Sequence, residues 1–180
     1  MKSPKRKQSA KLSSASIPFT KQALEDVRRA DRLYELVANG GEGDIVKIKQ
    51  LLDSDPKRFM RARNDPGHLI NQHSWNRQTP LYVACKYGNQ KMVKFLLSEH
   101  ADPHLTSRLS DREEESVLQV AVRWNHSLIV DYLLESVQWS KDEIYKAYKV
   151  PGASGHMRRI IGSYSKGNFG YCFNISLRCC

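Results

Sequence analysis

The stretch Thr79-Pro80-Leu81-Tyr82-Val83-Ala84-Cys85-Lys86-Tyr87-Gly88-Asn89 recurs, 37 residues later, as Ser116-Val117-Leu118-Gln119-Val120-Ala121-Val122-Arg123-Trp124-Asn125. A third, degenerate copy ends at Gly43-Asp44. A chain that repeats itself at this spacing folds as a stack of small units, because no single unit can bury its own apolar face. A stack of this kind offers a surface to bind and seldom a pocket for chemistry.

The residues of the unit explain its shape. Thr79 suits the cap of a helix and Pro80 its first position, where a missing amide donor costs nothing. Leu81, Ala84 and Cys85 then share one face, and the small Ala84 lets a second helix approach. Gly88 ends the helix in a tight turn. Met92, Val93, Leu96 and Leu97 make the stripe of a second helix, which Ala101-Asp102-Pro103 stops. The next unit keeps the offsets: Ser116 for the cap, Leu118 and Ala121 inside, Asn125 at the turn, then Ile129, Val130, Leu133 and Leu134. Asn tolerates the left-handed turn better than most residues. Tyr87 and Trp124 stand one position before the turn, where they either shield it or face a partner.

Two marginal units flank this pair. Counting from Gly43, Ile48 and Leu51-Leu52 fall at the steps that Val93 and Leu96-Leu97 make from Gly88. The helix before it, around Leu33 to Val37, suits an N-terminal cap, and Thr20 is a plausible start for the stretch ahead of it. At the other end, Ser140-Lys141-Asp142-Glu143 reads as a capping box before Ile144, Tyr145 and Tyr148. From Gly152, Met157 and Ile160-Ile161 repeat the offsets of the second helix. The expected organisation is a basic disordered segment over 1–18, a repeat domain over 19–161, and a disordered tail over 162–180. Within the domain, units are expected at about 31–56, 77–106 and 114–138, with a weak unit at 140–161.

These motifs resemble the ankyrin repeat, whose pattern is T-P-L-H-x-A-A-x-x-G-H/N, a V-x-x-L-L helix, then G-A-D-x-N. The match is specific over Thr79–Asn89, Val93–Leu97 and His100–His104, good over Leu118–Leu134, moderate over 33–52 and weak over 142–161. The resemblance implies an all-α solenoid of three to four helix-turn-helix units, with a protein-binding role. Tyr82 stands where the family has His, so the Thr–His hydrogen bonding typical of the family is expected to be lost. Val117 replaces the Pro.

Interruptions of the period are the natural place for specificity. The step from Gly43 to Gly88 is 45 residues, about twelve more than the ~33-residue period of the family. The excess lies in 57–68, where Arg58, Arg61 and Arg63 flank Phe59 and Met60. This segment either contacts an acidic or phosphate-bearing partner or packs its apolar pair inward. A second, shorter insertion in 106–115 carries Asp111, Glu113, Glu114 and Glu115. It either neutralises the basic insertion or divides the loop face into a groove for a mixed-charge peptide. Arg58, Phe59, Arg61, Arg63, Tyr87 and Trp124 are the candidate contact residues.

The formal net charge of +10 sits at the ends: residues 1–20 hold five basic groups and no acid, while 21–140 hold 17 of each sign. The basic ends permit weak, salt-dependent contact with nucleic acid, but no nucleic-acid module is recognisable. Pro4-Lys5-Arg6-Lys7 is similar to a short nuclear-import signal. No apolar region follows the basic start, so secretion is not expected, and no apolar run is long enough to span a membrane. Cys85 falls in an apolar helix pattern; Cys172, Cys179 and Cys180 crowd the tail without a C-x-x-C pair. A reducing cytoplasm, or the nucleus, is the expected location. Lipidation at Cys179 or Cys180 is not expected. His100 and His104 are four apart, but Ala101-Asp102-Pro103 breaks any helix between them, so no metal is expected there. No cofactor or catalytic motif is found. The leading expectation is an adaptor that binds another protein, with an acidic or mixed-charge surface, through the loop face and the concave helix face. The alternatives are an assembly component docking through its basic termini, or a truncated isoform of a longer repeat protein.

Overall fold

Thr79 accepts a hydrogen bond from the Tyr82 amide, Ser116 from that of Gln119, and Ser140 from that of Glu143. Each of these caps opens the first helix of a helix pair. In the computed structural model, which describes residues 21–55, 68–110 and 113–169, the order is α1 (Lys21–Asn39), α2 (Glu42–Asp53), a 3-10 turn (Leu69–Asn71), α3 (Pro80–Lys86), α4 (Gln90–Ser98), β1 (Ser107–Arg108), β2 (Glu114–Glu115), α5 (Val117–Arg123), α6 (Ser127–Ser136), α7 (Lys141–Tyr148) and α8 (Gly155–Phe169). The helices pair as α1·α2, α3·α4, α5·α6 and α7·α8. Helices α1, α3, α5 and α7 pack in succession as one layer; α4, α6 and α8 pack as a second. The two layers are an all-α solenoid of paired helices.

The core is the sum of the predicted stripes. Leu33, Val37, Ile48, Leu81, Ala84, Met92, Val93, Leu96, Leu118, Ala121, Ile129, Val130, Leu133, Ile144, Ala147, Met157 and Ile161 are all buried in a single cluster. Burying each leucine or isoleucine side chain contributes about 1.5–3 kcal/mol, so the stack owes its stability to this continuous seam.

Four residues adopt the left-handed backbone at the turns between paired helices: Gly40 (φ 64°), Gly88 (φ 74°), Asn125 (φ 61°) and Gly152 (φ 79°). Gly40 corrects the sequence reading, which put the first turn at Gly43. Gly43 lies inside the first turn of α2, and the Gly41 amide donates to Asp44 Oδ2 at 3.0 Å. The offsets to Ile48 and Leu51-Leu52 mislead because, counted from Gly40, Ile48 takes the place of Leu96 and Leu52 extends the buried stripe one turn past it.

The turns are bolted together in a repeating way. Asn89 Nδ2 donates to the Gly40 carbonyl at 3.1 Å, His126 Nε2 to the Lys86 carbonyl at 3.1 Å, and Ser154 Oγ to Asn125 Oδ1 at 2.8 Å. In each case the residue just ahead of a second helix reaches back to the turn of the preceding unit. A Cβ on Gly40 would stand 2.6 Å from Asn89 Nδ2, and one on Gly88 2.5 Å from the His126 ring. Glycine is therefore needed there for both conformation and close approach. The third turn meets only a serine, and there Asn125 is accommodated.

Two further features differ from the sequence reading. Within 106–115, β1 and β2 pair as an antiparallel hairpin, with Ser107 opposite Glu115 and Arg108 opposite Glu114. Helix α8 continues through Phe169, beyond the point at residue 162 where the tail was expected to begin. Its inner face is carried on by half-buried Tyr164 and buried Ser165, a polar continuation that an apolar-period search passes over. Residues 1–20 and 170–180, with Cys172, Cys179 and Cys180, lie outside the described residues. No helix among the described residues is long and apolar enough to cross a membrane.

Candidate interaction surface

The hairpin and the loop before α3 form neighbouring fingers, held to each other by their backbones. Arg108 N donates to the Arg77 carbonyl at 2.9 Å, Gln78 Nε2 to the Arg108 carbonyl at 3.4 Å, and Thr79 N to Ser107 Oγ at 3.0 Å. Ser74 N bonds the Gln78 carbonyl at 3.0 Å and Arg77 N the Ser74 carbonyl at 2.8 Å, closing a tight turn with Arg77 at φ 56°. A positive φ is uncommon for a residue with a side chain, and a network of bonds like this one is what holds it.

The turn presents Trp75 at its tip, 75% exposed, with its amide donating to Asp31 Oδ1 of α1 at 3.4 Å. Beneath it lies a recess of about 470 Å³ between the fingers and the first-helix layer, lined by Tyr34, Trp75, Lys86, Arg108 and Leu109 among others. A second recess of about 370 Å³ shares Arg108 and adds His73, Arg77 and Glu114. Arg108 Nε donates to the Ser110 carbonyl at 3.2 Å, which fixes the plane of its guanidinium. Glu114 accepts from the Thr106 hydroxyl at 2.6 Å.

Tyr87 and Trp124 occupy the same structural position, the residues that cap the C-termini of α3 and α5, and both are αR-like (φ −86° and −89°). They are 55% and 54% exposed, and Lys86 Nζ lies 5.9 Å from the Tyr87 ring centroid. More than half of each side chain is open to solvent. The other four candidates, Arg58, Phe59, Arg61 and Arg63, lie outside the described residues. The described residues that the sequence reading missed are Trp75, Lys86, Arg108 and Leu109, with Tyr34 of α1. One signal was available for Trp75: a large aromatic in the polar turn Ser74-Trp75-Asn76-Arg77 has no core to enter.

One residue of the acidic insertion, Glu115, works inside the protein. Glu115 is only 1% exposed, and it accepts from Arg123 Nε at 2.7 Å and from the Tyr82 hydroxyl at 3.2 Å. Burial and the Glu115 carboxylate push the Tyr82 phenol well above its ordinary range, so it stays a donor. The tyrosine that displaces the family's histidine thus ties one unit to the finger of the next. Burial alone pushes the Cys85 thiol far up, which leaves it protonated and unreactive.

On the loop that leaves α4, His104 Nδ1 donates to Glu143 Oε1 at 2.8 Å, and its ring meets Trp139 edge-on at 5.3 Å. Burial raises the Glu143 carboxyl, but hydrogen bonds from His104 and Ser140 outweigh it and hold the group below its ordinary value of 4.5. Among the described residues, no group of three or more His, Cys, Asp or Glu side chains is placed to hold a metal ion.

A family model described as ankyrin repeats, in three copies, matches residues 33–143. That span is more than half of the 180-residue chain.

Proposed function

The chain belongs to the ankyrin-repeat family, a non-catalytic scaffold with a general role in protein–protein interaction, and on that premise we propose that it binds a partner protein across the finger side of its first-helix layer. The observation that carries this reading is the alignment of exposed aromatic groups on that side. Trp75 stands over the recess at the tip of its finger, and Tyr87 and Trp124 end successive first helices. Tryptophan and tyrosine lose little conformational entropy on contact and dominate the energetics of many interfaces. We propose further that the basic insertion bearing Arg58, Phe59, Arg61 and Arg63, which lies outside the described residues, adds to this surface.

Photocrosslinking tests the reading. A photoreactive phenylalanine at Tyr87 or Trp124 should capture the same partner in cells, and one at Lys91 on the second-helix layer should not. Equal capture from all three positions would sink the proposal. We place the interaction in the cytoplasm or nucleus, supported by the basic Pro4-Lys5-Arg6-Lys7 run and by the unpaired, buried Cys85 thiol. Imaging a tagged chain, with and without Lys5→Ala and Arg6→Ala, reads this directly; delivery to the secretory pathway would overturn it.

A further inference from the structure

We propose that the partner protein lays an extended segment across the ends of the first helices, with carboxylates against Lys86 and Lys149 and one apolar anchor between Tyr87 and Trp124. This rests on the reading above that these two aromatics face a partner. Register comes first. Leu81, Leu118 and Ile144 are buried at equivalent places in α3, α5 and α7, and so are Ala84, Ala121 and Ala147. Counting on from them, Lys86, Arg123 and Lys149 fall at one position, and Tyr87 and Trp124 at the next. Helix α3 packs on α5 and α5 on α7, so each step is about 10 Å. Lys86 and Lys149 are then about 20 Å apart, the reach of about six residues of extended chain. Tyr87 and Trp124 stand one step apart, which leaves a place for one side chain between them.

Charge then selects the occupant. Lys86 Nζ lies 5.9 Å from the Tyr87 ring and Lys149 Nζ 5.5 Å from that of Tyr145, and among the described residues neither lysine makes an ion pair. Arg123, between them, is paired with Glu115. Helices α3, α5 and α8 hold no acidic residue, and in α7 Asp142 and Glu143 stand in the first turn, at the far end from Lys149. Among the second helices of these units only α6 carries acids, Asp131 and Glu135. The residues outside the described ones add positive charge, with eleven basic side chains against two acidic, Asp65 and Asp111. Both acids fall in sequence between residues of the finger side, Asp55 and His68 or Ser110 and Glu113, whereas Lys86 and Lys149 end their helices on the turn side. The chain's own basic stretches are therefore poor occupants. Nucleic acid fits less well, because a strand carries a charge about every 3.4 Å and the two lysines stand about 20 Å apart. A protein segment can space its carboxylates to match, and complementary charge across an interface fixes register and suppresses wrong partners.

The experiment uses the full chain and a random library of displayed 12-residue peptides. Selected peptides should carry acidic residues about six positions apart, with one Phe, Trp, Leu or Ile between them. Labelled copies should bind about tenfold more weakly to Lys86→Gln, to Lys149→Gln and to Tyr87→Ala, and more weakly as salt rises. Arg77→Gln, on the finger, should leave binding unchanged. All four variants should melt within about two degrees of the parent, as surface substitutions do. Peptides that lose affinity with Tyr87→Ala but are indifferent to both lysine variants and to salt would overturn the acidic class and leave the binding face standing. An equal loss with Arg77→Gln would show unspecific attraction and overturn the assigned edge. Peptides indifferent to all four variants, or no selection above an empty-phage control, would remove both the segment and the face. Phosphatidylserine vesicles or a labelled oligo-dT competing at equal affinity would overturn the assigned occupant.

Discussion

Tyr82, Glu115 and Arg123 show how one residue change is absorbed by its neighbours. With Tyr at 82, the side chain is long enough to leave its own unit and donate to Glu115 in the next finger, 3.2 Å away. Glu115 is buried while Arg123 keeps 31% of its side chain exposed, so the two ends of the ion pair are unequal. Removing the arginine strands a buried carboxylate; removing the carboxylate lets the arginine turn to solvent and leaves only a buried hydroxyl short of a partner. Arg123→Ala is therefore expected to cost about 3–5 kcal/mol, and Glu115→Ala about 1–3 kcal/mol, by urea denaturation. The double variant should cost less than the sum. The reverse order would show that the pair is not held as described. None of this was legible from the repeat pattern, which registered Tyr82 as a lost hydrogen bond and Glu115 as part of a surface charge run. The cause is distance: the partners are 33 residues apart, and periodicity carries no information about which polar groups meet.

Helices and turns were far more legible, because capping and periodicity are local. Thr79-Pro80, Ser116 and Ser140 open α3, α5 and α7 as their chemistry requires. The turn at Gly43 was misplaced because Leu52 extends the buried stripe of α2 one turn past the place that Leu96 holds in α4, and the end of α8 was missed because Tyr164 and Ser165 continue its inner face with polar groups. The recess was not legible at all, since its lining comes from three segments, each unremarkable alone. Loop-to-helix contact has its own testable consequence at α7. His104, on the loop that leaves α4, donates to Glu143, and Glu143 also completes the α7 cap by accepting from Ser140 N at 2.9 Å. Its carboxyl titrates below 4.5 in the folded chain. A depressed folded value means that the contribution is full above the unfolded pKa and is lost as pH falls through the folded one. The stability gap between the parent and Glu143→Gln should thus be steady above the ordinary carboxyl value of 4.5 and close as pH falls below it. A gap that widens on acidification would contradict the hydrogen-bond assignment.

A stack of units has ends, and the same substitution has different reach at the end and in the middle. Neighbouring units support one another only through nearest-neighbour contacts, so an interior lesion weakens two interfaces and a terminal lesion one. Gly88 and Gly152 make the comparison cleanly, with φ of 74° and 79°. Alanine at either position incurs about 1–2 kcal/mol of left-handed strain. At Gly88 the new Cβ also strikes the His126 ring at 2.5 Å and displaces its bond to Lys86, whereas among the described residues nothing but its chain neighbours lies within 4 Å of a Cβ at Gly152. The bond adds about 1 kcal/mol, so Gly88→Ala should cost about 2–3 kcal/mol in all. Amide hydrogen exchange should show the difference in kind as well as in size. Gly88→Ala is expected to speed exchange in α3, α4, α5 and α6 together, because the turn it damages joins the two central units. Gly152→Ala should speed exchange only in α7 and α8. If both variants gave the same uniform loss of protection, the stack would unfold as one indivisible unit, and the bridges from Asn89, His126 and Ser154 would not be the joints between its parts.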